Sequence, residues 1–558
     1  MLRAQKTFLV ITAFLLFFSS FISCNFDNNE GAVPNEETIS MESENEKTTI
    51  VVKAKPVTTV VKKSTSTELK FEVEANGGNL TYQWYESADG TTNTGTAIEN
   101  ENQNTYIVSP FTERGIRYFY CVANVENEST TSSIATVAYT ELAIIEITTV
   151  NNEEPVAEQV SPPEGCYGAG LRNATKVPAR MIISKDGEVL YDSGDYEKKQ
   201  SGLTIKLRGN TSAYSEKKPY KIKLQKKADL LKDLLSRDDS KYKDKDWILL
   251  KDATSLNTFV GMTVADIAGT EWTPEFAFVN VIINGSYRGT YLLIEAISKN
   301  EKRVNVADDG YIIEWDAYWW NEDKKFITNL NQKYTFKYPD PDNGNIKKND
   351  DNYNYILGFM NEMETALRSS DFKDPEKGYR KYLDAESFAK WYLVMEIMGN
   401  HDPNFYYVLP RRGAKLKMYP TWDAEWTLGV ASAGTNGWQT YPQTPMYTET
   451  SEMYRTRRYF GQMFKDPYFV ELVYNEWLKM KPNIQAARDN VAAETSRISF
   501  GTTANFERWK ILGVNGLSVC LVAFPTWQQE CDYASQWLDR RLAWFDGYIS
   551  DLYAKSKQ

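Results

Sequence analysis

Between residues 50 and 148, apolar and polar residues alternate in short runs: LKFEVEA, LTYQWYES, NTYIVSP, RYFYCVANV and SIATVAY. Period two turns one side of each run toward a core and the other toward water, and turn residues such as NGGN and ADG separate the runs. This spacing predicts an all-β sandwich over 51–148. Residues 24–50 before it are acidic, polar and almost free of aromatics, the composition of a tether. A polar link follows over 149–165. The third region, 166–558, mixes both periods. ARMIISKDG, GLTIKLRGN and KPYKIKLQ read as strands; in the last, Tyr220, Ile222 and Leu224 alternate with Lys221 and Lys223, which therefore leave one face together. Leu256, Phe259, Val260 and Val264 predict a helix over 254–268, and further helices are expected over 352–368 and 385–398. FAFVNVIING and SYRGTYLLIEAI read as a hairpin turning at Asn284-Gly285. FYYVLP and AKLKMYP form a second hairpin, and the tail is helical.

The N-terminus changes the picture of location. Arg3 and Lys6 precede the apolar run FLVITAFLLFFSSFIS, and Cys24 follows it, the layout of an export signal over 1–23. At about 16 residues the run is short for a membrane span. Cys24 after FIS resembles the lipobox of bacterial lipoproteins, although Phe21 stands where Leu is commoner. The resemblance implies lipidation at Cys24 and an exported protein anchored to a membrane, at the outer membrane or cell surface. The net charge of −11, with 75 acids against 64 bases, lacks the basic excess of a nucleic-acid binder. It leaves room for a local cationic pocket. Cys121, Cys166, Cys520 and Cys531 can form disulfides after export, in a pairing that sequence does not fix, and no Cys/His grouping suggests zinc. Trp84 followed by Cys121 resembles the core pair of immunoglobulin-like domains. Phe71 or Val73 occupies the strand of the missing first cysteine, so no disulfide across the sandwich is expected.

Candidate chemistry lies around the second hairpin. Asp402 and Asp423 stand 21 residues apart, one at each mouth. Such a pair can meet at one point, as in kinases of the eukaryotic type, where one Asp orients the attacking hydroxyl and another holds Mg²⁺ on the phosphates. Lys221 and Lys223 could supply cationic charge for those phosphates. His401, the only histidine, has no Ser or Cys partner in a nucleophile pattern, and phosphoryl transfer depends on positioning and charge neutralisation more than on a neutral-pH base. It reads as a loop-shaping neighbour of Asp402.

The stretches LRGNTSAYSEKKPYKIKL, DWILLKDATSLNTFVGMTVADIAG, NVIINGSYRGTYLLIEAI, DGYIIEWD, KYPDPD, MEIMGNHDPNFYYV and PTWDAEWTLG resemble, in order, the spore coat protein H (CotH) family of secreted atypical protein kinases. The resemblance spans roughly residues 200–430 and implies an α+β, two-lobed, protein-kinase-like domain after the immunoglobulin-like sandwich. It implies that Asp402 is the catalytic acid and Asp423 the metal-binding acid. On this reading Asn404 or Glu425 would be a further metal ligand, and Lys221 or Lys223, with Arg208 and Glu295, would contact ATP. Mg²⁺ or Mn²⁺ is the implied cofactor, ATP the co-substrate, and an unidentified protein carrying Ser or Thr the acceptor. The chain departs from the family at Glu425, where a second Asp is usual. It also departs from ordinary kinases at Tyr407, where they place a metal-binding Asn, and in lacking both a GxGxxG loop and a Glu in helix 254–268. Two other readings compete. One is a catalytically inactive surface binding protein or adhesin. The other is a glycan-active protein using Asp423 and Glu425, which an extended segment would point the same way instead of across a bond.

Overall fold

Strong alternation in residues 50–139 yields one six-stranded and two two-stranded sheets around one core, antiparallel except where Thr59–Val60 runs parallel to Ala135–Tyr139. The computed structural model describes residues 49–166, 168–237, 240–251, 256–340, 346–400, 404–425, 427–429, 442–445, 457–513 and 524–558. The signal segment and Cys24 lie outside them. Strand Leu80–Ser87 pairs antiparallel with Gly115–Val125 and sets Trp84 directly opposite Cys121. Both are fully buried among Leu69, Phe71, Val73 and Val137. The Trp84 indole donates to the Gln103 carbonyl at 2.9 Å, so its one polar atom is satisfied in the core. Cys121 is a free thiol, and burial pushes its pKa up to about 12. Phe71 lies between strands Thr67–Lys70 and Glu72–Ala75 and is fully buried in the same core.

The sandwich ends earlier than its periodicity suggests. Strand Ala143–Thr149 runs parallel to Phe276–Ile283 and antiparallel to Val177–Lys185. It thereby closes a sheet that continues through Ser286–Glu295, Asp244–Leu250, Tyr220–Ala228 and Leu203–Leu207 back to Val177–Lys185. The result is a barrel. Its interior takes alternate residues of every strand, among them Ile145, Met181, Ile205, Ile222, Trp247, Val281 and Leu293. Each fully buried aliphatic side chain contributes about 1.5–3 kcal/mol. The expected boundary at 148 is therefore corrected: 143–149 belongs to the barrel, and the polar link begins only after the first barrel strand. Residues 140–142 alone separate the last sandwich strand, Ala135–Tyr139, from the barrel. Lys62–Glu146 at 2.6 Å and Arg114–Asp186 at 3.1 Å bridge the two units, and Val60 and Ala138 pack on Ile144 and Tyr287. The sandwich is built onto the barrel.

The rest of the chain combines helices with a five-stranded sheet in the order Lys325–Ile327, Lys333–Tyr338, Tyr311–Trp315, Phe405–Leu409, Lys417–Met418. Helix α1 is Leu256–Ile267, α2 Asp351–Arg368, α3 Ala385–Met398, α4 Arg457–Met463, α5 Pro467–Ile498, α6 Thr503–Arg508 and α7 Trp527–Ser556. Helix α3 is buried nearly all round, as its apolar sequence requires. Asp384 caps its first turn by accepting from the Ser387 N–H, and Gly399, at φ +58°, ends it in the left-handed conformation. Arg541 of α7 locks that end: it donates to the Glu396 carbonyl and pairs with the Glu396 carboxylate at 2.9 Å, both side chains wholly buried. Its cationic charge beside the last turn of α3 also complements the helix dipole. No helix among the described residues is long and apolar enough to cross a membrane.

Candidate active site

The geometry starts where α3 stops. Asn400, buried just past the Gly399 reversal, donates its side-chain amide to the Asp423 carbonyl at 2.9 Å. His401, Asp402 and Pro403 lie outside the described residues. The chain resumes at Asn404 and enters the hairpin Phe405–Leu409/Lys417–Met418, paired as expected. Its two mouths thus meet at one place, with the contact made by Asn400 and Asp423.

The segment after the hairpin is a turn, not the extended stretch expected from sequence. Asp423 sits at φ +62° and Leu428 at φ +58°, left-handed conformations that Asp tolerates better than most side chains. Four clamps hold this turn. Asn400 takes the Asp423 carbonyl, Asn257 of α1 donates to the carbonyls of Glu425 (2.9 Å) and Thr427 (3.3 Å), and the Leu428 N–H donates to Met398 at 2.8 Å. The fourth is steric: a Cβ on Gly261 of α1 would come 2.5 Å from the Ala424 Cβ, so only glycine lets the helix approach this closely. Asn257, Gly261 and Asn400 stand in the motif stretches, but their role depends on contacts between distant segments.

The walls come from both parts. Trp422 packs with Tyr406, Met262 and the outward-facing Ile248 and Ile294 of the barrel. The Arg208 guanidinium lies over the Trp422 ring at 5.9 Å. In register across the barrel exterior, Lys206 faces Lys221, which faces Ile248. Lys221 therefore borders the cleft, paired with Asp246 at 3.0 Å. Lys223 is exposed farther along the same strand. Tyr407 is buried in the core and offers no metal ligand.

Glu295 has a different role from the nucleotide contact expected. Its side chain is 1 % exposed and lies between Arg237 at 3.1 Å and Arg303 at 3.9 Å. It also accepts from the Trp272 indole and the Glu275 N–H. Burial pushes its carboxyl above the ordinary range while the two guanidiniums oppose that shift. It is a sealed structural knot.

A second acid–base pair was missed in the sequence. Ile312 pairs with Tyr338 while Ile313 pairs with Phe336, which makes Lys337 the extra residue of a β-bulge. A bulge re-aims the side chain it carries. Lys337 reaches Glu314 at 2.8 Å, with the acid 9 % and the lysine 32 % exposed. Burial pushes the Glu314 carboxyl up to about 7 although Lys337 opposes it. Burial also works against the charge of Lys337, but Glu314 together with Tyr406, Glu322 and Asp316 outweighs it and holds the ammonium well above its ordinary range. Tyr406, across from Glu314 on the next strand, is hydrogen-bonded by the Asn404 side chain and feels the charges of Glu314, Lys337 and Arg208. Lys337 lies in KYPDPD and Glu314 in DGYIIEWD.

The family described as CotH kinase protein matches this chain over residues 205–545, more than half its length. The chain belongs to the CotH kinase family. The match opens inside Leu203–Leu207, so the barrel of this CotH protein is closed by strands that precede it. It runs on through Arg541, the lock on α3. Comparison with curated proteins gives no match. Among solved structures, the chain is similar to the N-terminal eight immunoglobulin domains of Down Syndrome Cell Adhesion Molecule isoform 1.30.30, at 11 % identity and TM-score 0.14. The similarity covers 47 % of this chain and 40 % of that one, so the chain spans about two fifths of that structure; it carries no argument at this score.

Among the described residues of the CotH domain, no three His, Cys, Asp or Glu side chains gather into a metal cage. Mg²⁺ binds through one or two carboxylates and completes its octahedron with water and substrate phosphates. The all-oxygen donor set offered by Asp423, Asn404 and Glu425 fits such an ion, with the first and last fixed by their clamped carbonyls.

Proposed function

We propose that this CotH protein is an active phosphotransferase with a two-lobed, kinase-like catalytic domain, moving the γ-phosphoryl group of ATP to a Ser or Thr hydroxyl of an extracytoplasmic protein. The observation that carries the reading is the Asn400–Asp423 bond. It ties both mouths of the hairpin together at the end of α3, beside a wall bearing Arg208. Asp402 orients the acceptor hydroxyl and takes its proton as the new P–O bond forms and the bond to ADP breaks. Asp423, with Asn404 and Glu425, would hold Mg²⁺, which would supply positive charge to the transferring phosphates. Arg208, Lys221 and Lys337 supply the remaining positive charge from the two sides of the cleft. Glu314 keeps the Lys337 ammonium charged and aimed, a part that the helix after 252 does not fill here. A lipid on Cys24 would hold the enzyme on the outer membrane or cell surface, with the sandwich packed on its barrel.

Thermal melting with and without Mg·ATP tests nucleotide binding, and radiolabel transfer by Asp402→Ala tests the assigned role. A rise in Tm with Mg·ATP, together with loss of transfer in the variant at unchanged fold, is expected. No rise would favour a binding protein without catalysis, and full transfer by Asp402→Ala would remove that residue from the mechanism.

A further inference from the structure

A second cationic hollow lies at the end of the barrel, formed by residues outside the Asp423 cleft. It has a volume of about 440 Å³ and brings Lys218, Arg288 and Arg508 together with a single acid, Glu216. That volume falls in the ~300–1,000 Å³ range of small-molecule sites.

Several features build it. Val281 pairs with Gly289 and Ile282 with Tyr287, so Arg288 is the extra residue of a bulge that re-aims its side chain. Gly289, at φ +104°, has no Cβ to strike the Asn505 Oδ1 at 2.5 Å or the Trp509 Nε1 at 2.7 Å, and this lets α6 close against the strand. Trp509 then donates to the Arg288 carbonyl at 2.9 Å, and Arg508 stacks over the Trp509 ring at 4.2 Å.

The charge in this hollow is unbalanced. Arg288 pairs with Glu154 at 2.5 Å, and the Lys218 ammonium donates to the Ala213 carbonyl at 3.0 Å. Arg508 has no carboxylate within ion-pair distance among the described residues. The Nε–H groups of both Arg288 and Arg508 are shielded from solvent and find no acceptor. A compact oxyanion takes charge-assisted hydrogen bonds from several guanidinium and ammonium donors at once.

We propose that this hollow binds a phosphate monoester. Three cations against two acids, Glu216 in the lining and Glu154 on Arg288, leave net positive charge that suits a compact phosphate group better than a longer polyphosphate. The site does not rest on the phosphotransfer reading and would stand if that reading failed.

Isothermal titration of the full chain, without nucleotide or divalent ion, tests it with inorganic phosphate and with O-phosphoserine. Saturable binding of at least one is expected, weakened tenfold or more by Arg508→Gln or Lys218→Gln and unchanged by Asp423→Asn. Tighter binding of phosphoserine points to a modified side chain as the source, and equal affinity points to free phosphate. No saturable binding of either overturns the proposal. So does binding that survives both cation variants, or that disappears with Asp423→Asn.

Discussion

Glu295 and Glu314 are both acids at or near the end of a strand in a family motif, and both meet basic side chains, yet they occupy opposite situations. Glu295 is enclosed by Arg237, Arg303, an indole N–H and a backbone N–H, and every partner is accounted for inside the fold. Glu314 is almost as deep, but its cation, Lys337, stays one third exposed beside Tyr406 and Asn404. The difference shows that what marks a working ion pair is the side on which it remains open. A carboxylate held by two buried guanidiniums has nothing left to offer a ligand. A carboxylate that keeps a partly exposed lysine charged and aimed does its work through that lysine.

Removing the sealed acid is expected to have the largest effect on stability. Glu295→Ala takes from two buried guanidiniums the carboxylate they share, leaving Arg237 with Asp229 and Glu275 and Arg303 with Asp244, and should cost about 3 kcal/mol, read as a lower urea midpoint. A cost near zero would mean that the knot is not structural. Gly261→Ala should come next, at about 1–3 kcal/mol, because its methyl would press on Ala424. It should also weaken Mg²⁺-dependent nucleotide binding by displacing the Asp423 turn, whereas Glu295→Ala should leave that affinity intact at temperatures where the variant is folded. Lys337→Gln sharpens the contrast from the other side. It should raise the KM for Mg·ATP about tenfold, equivalent to about 1.4 kcal/mol. Its Tm should hardly move at neutral pH, because a carboxyl already held at about 7 takes up a proton easily when its lysine is lost.

The smallest effect is a slope. Glu314, with a folded pKa of about 7 against an ordinary 4.5, keeps in the folded state a proton that the unfolded chain releases between those values. Its favourable contribution is therefore complete below the unfolded value and fades as pH rises through the folded one. Glu314→Gln removes this titration. Between about pH 5 and 7.5 its Tm should fall less, or rise more, than that of the unchanged chain. Parallel curves would place the Glu314 pKa in the ordinary range.

Local features of the fold were legible in the sequence. Helices expected over 352–368 and 385–398 are found at Asp351–Arg368 and Ala385–Met398, because spacing and caps are written in neighbouring residues. The hairpin turns at Asn284-Gly285 with both residues at positive φ, as that dipeptide favours. Barrel closure was not legible. Strand Ala143–Thr149 has the same period as the sandwich strands before it, and period two does not say which sheet a strand joins. The same limit hid the bulge at Lys337 and the lock of Arg541 on Glu396, made across 145 residues. At the site, the hairpin and Asp423 were read from sequence. The burial that seals Glu295 and opens Lys337 depends on which segments pack above them.

The most direct test of the phosphotransfer site at Asp423 is incubation of the full chain with ATP labelled at its γ-phosphate, in Mg²⁺ or Mn²⁺, followed by measurement of label on its own Ser and Thr residues. The account predicts labelling of the unchanged chain and a loss of at least a hundredfold, about 2.7 kcal/mol, in Asp423→Asn at unaltered Tm. An Asp423→Asn protein that labels as fast as its parent would contradict it.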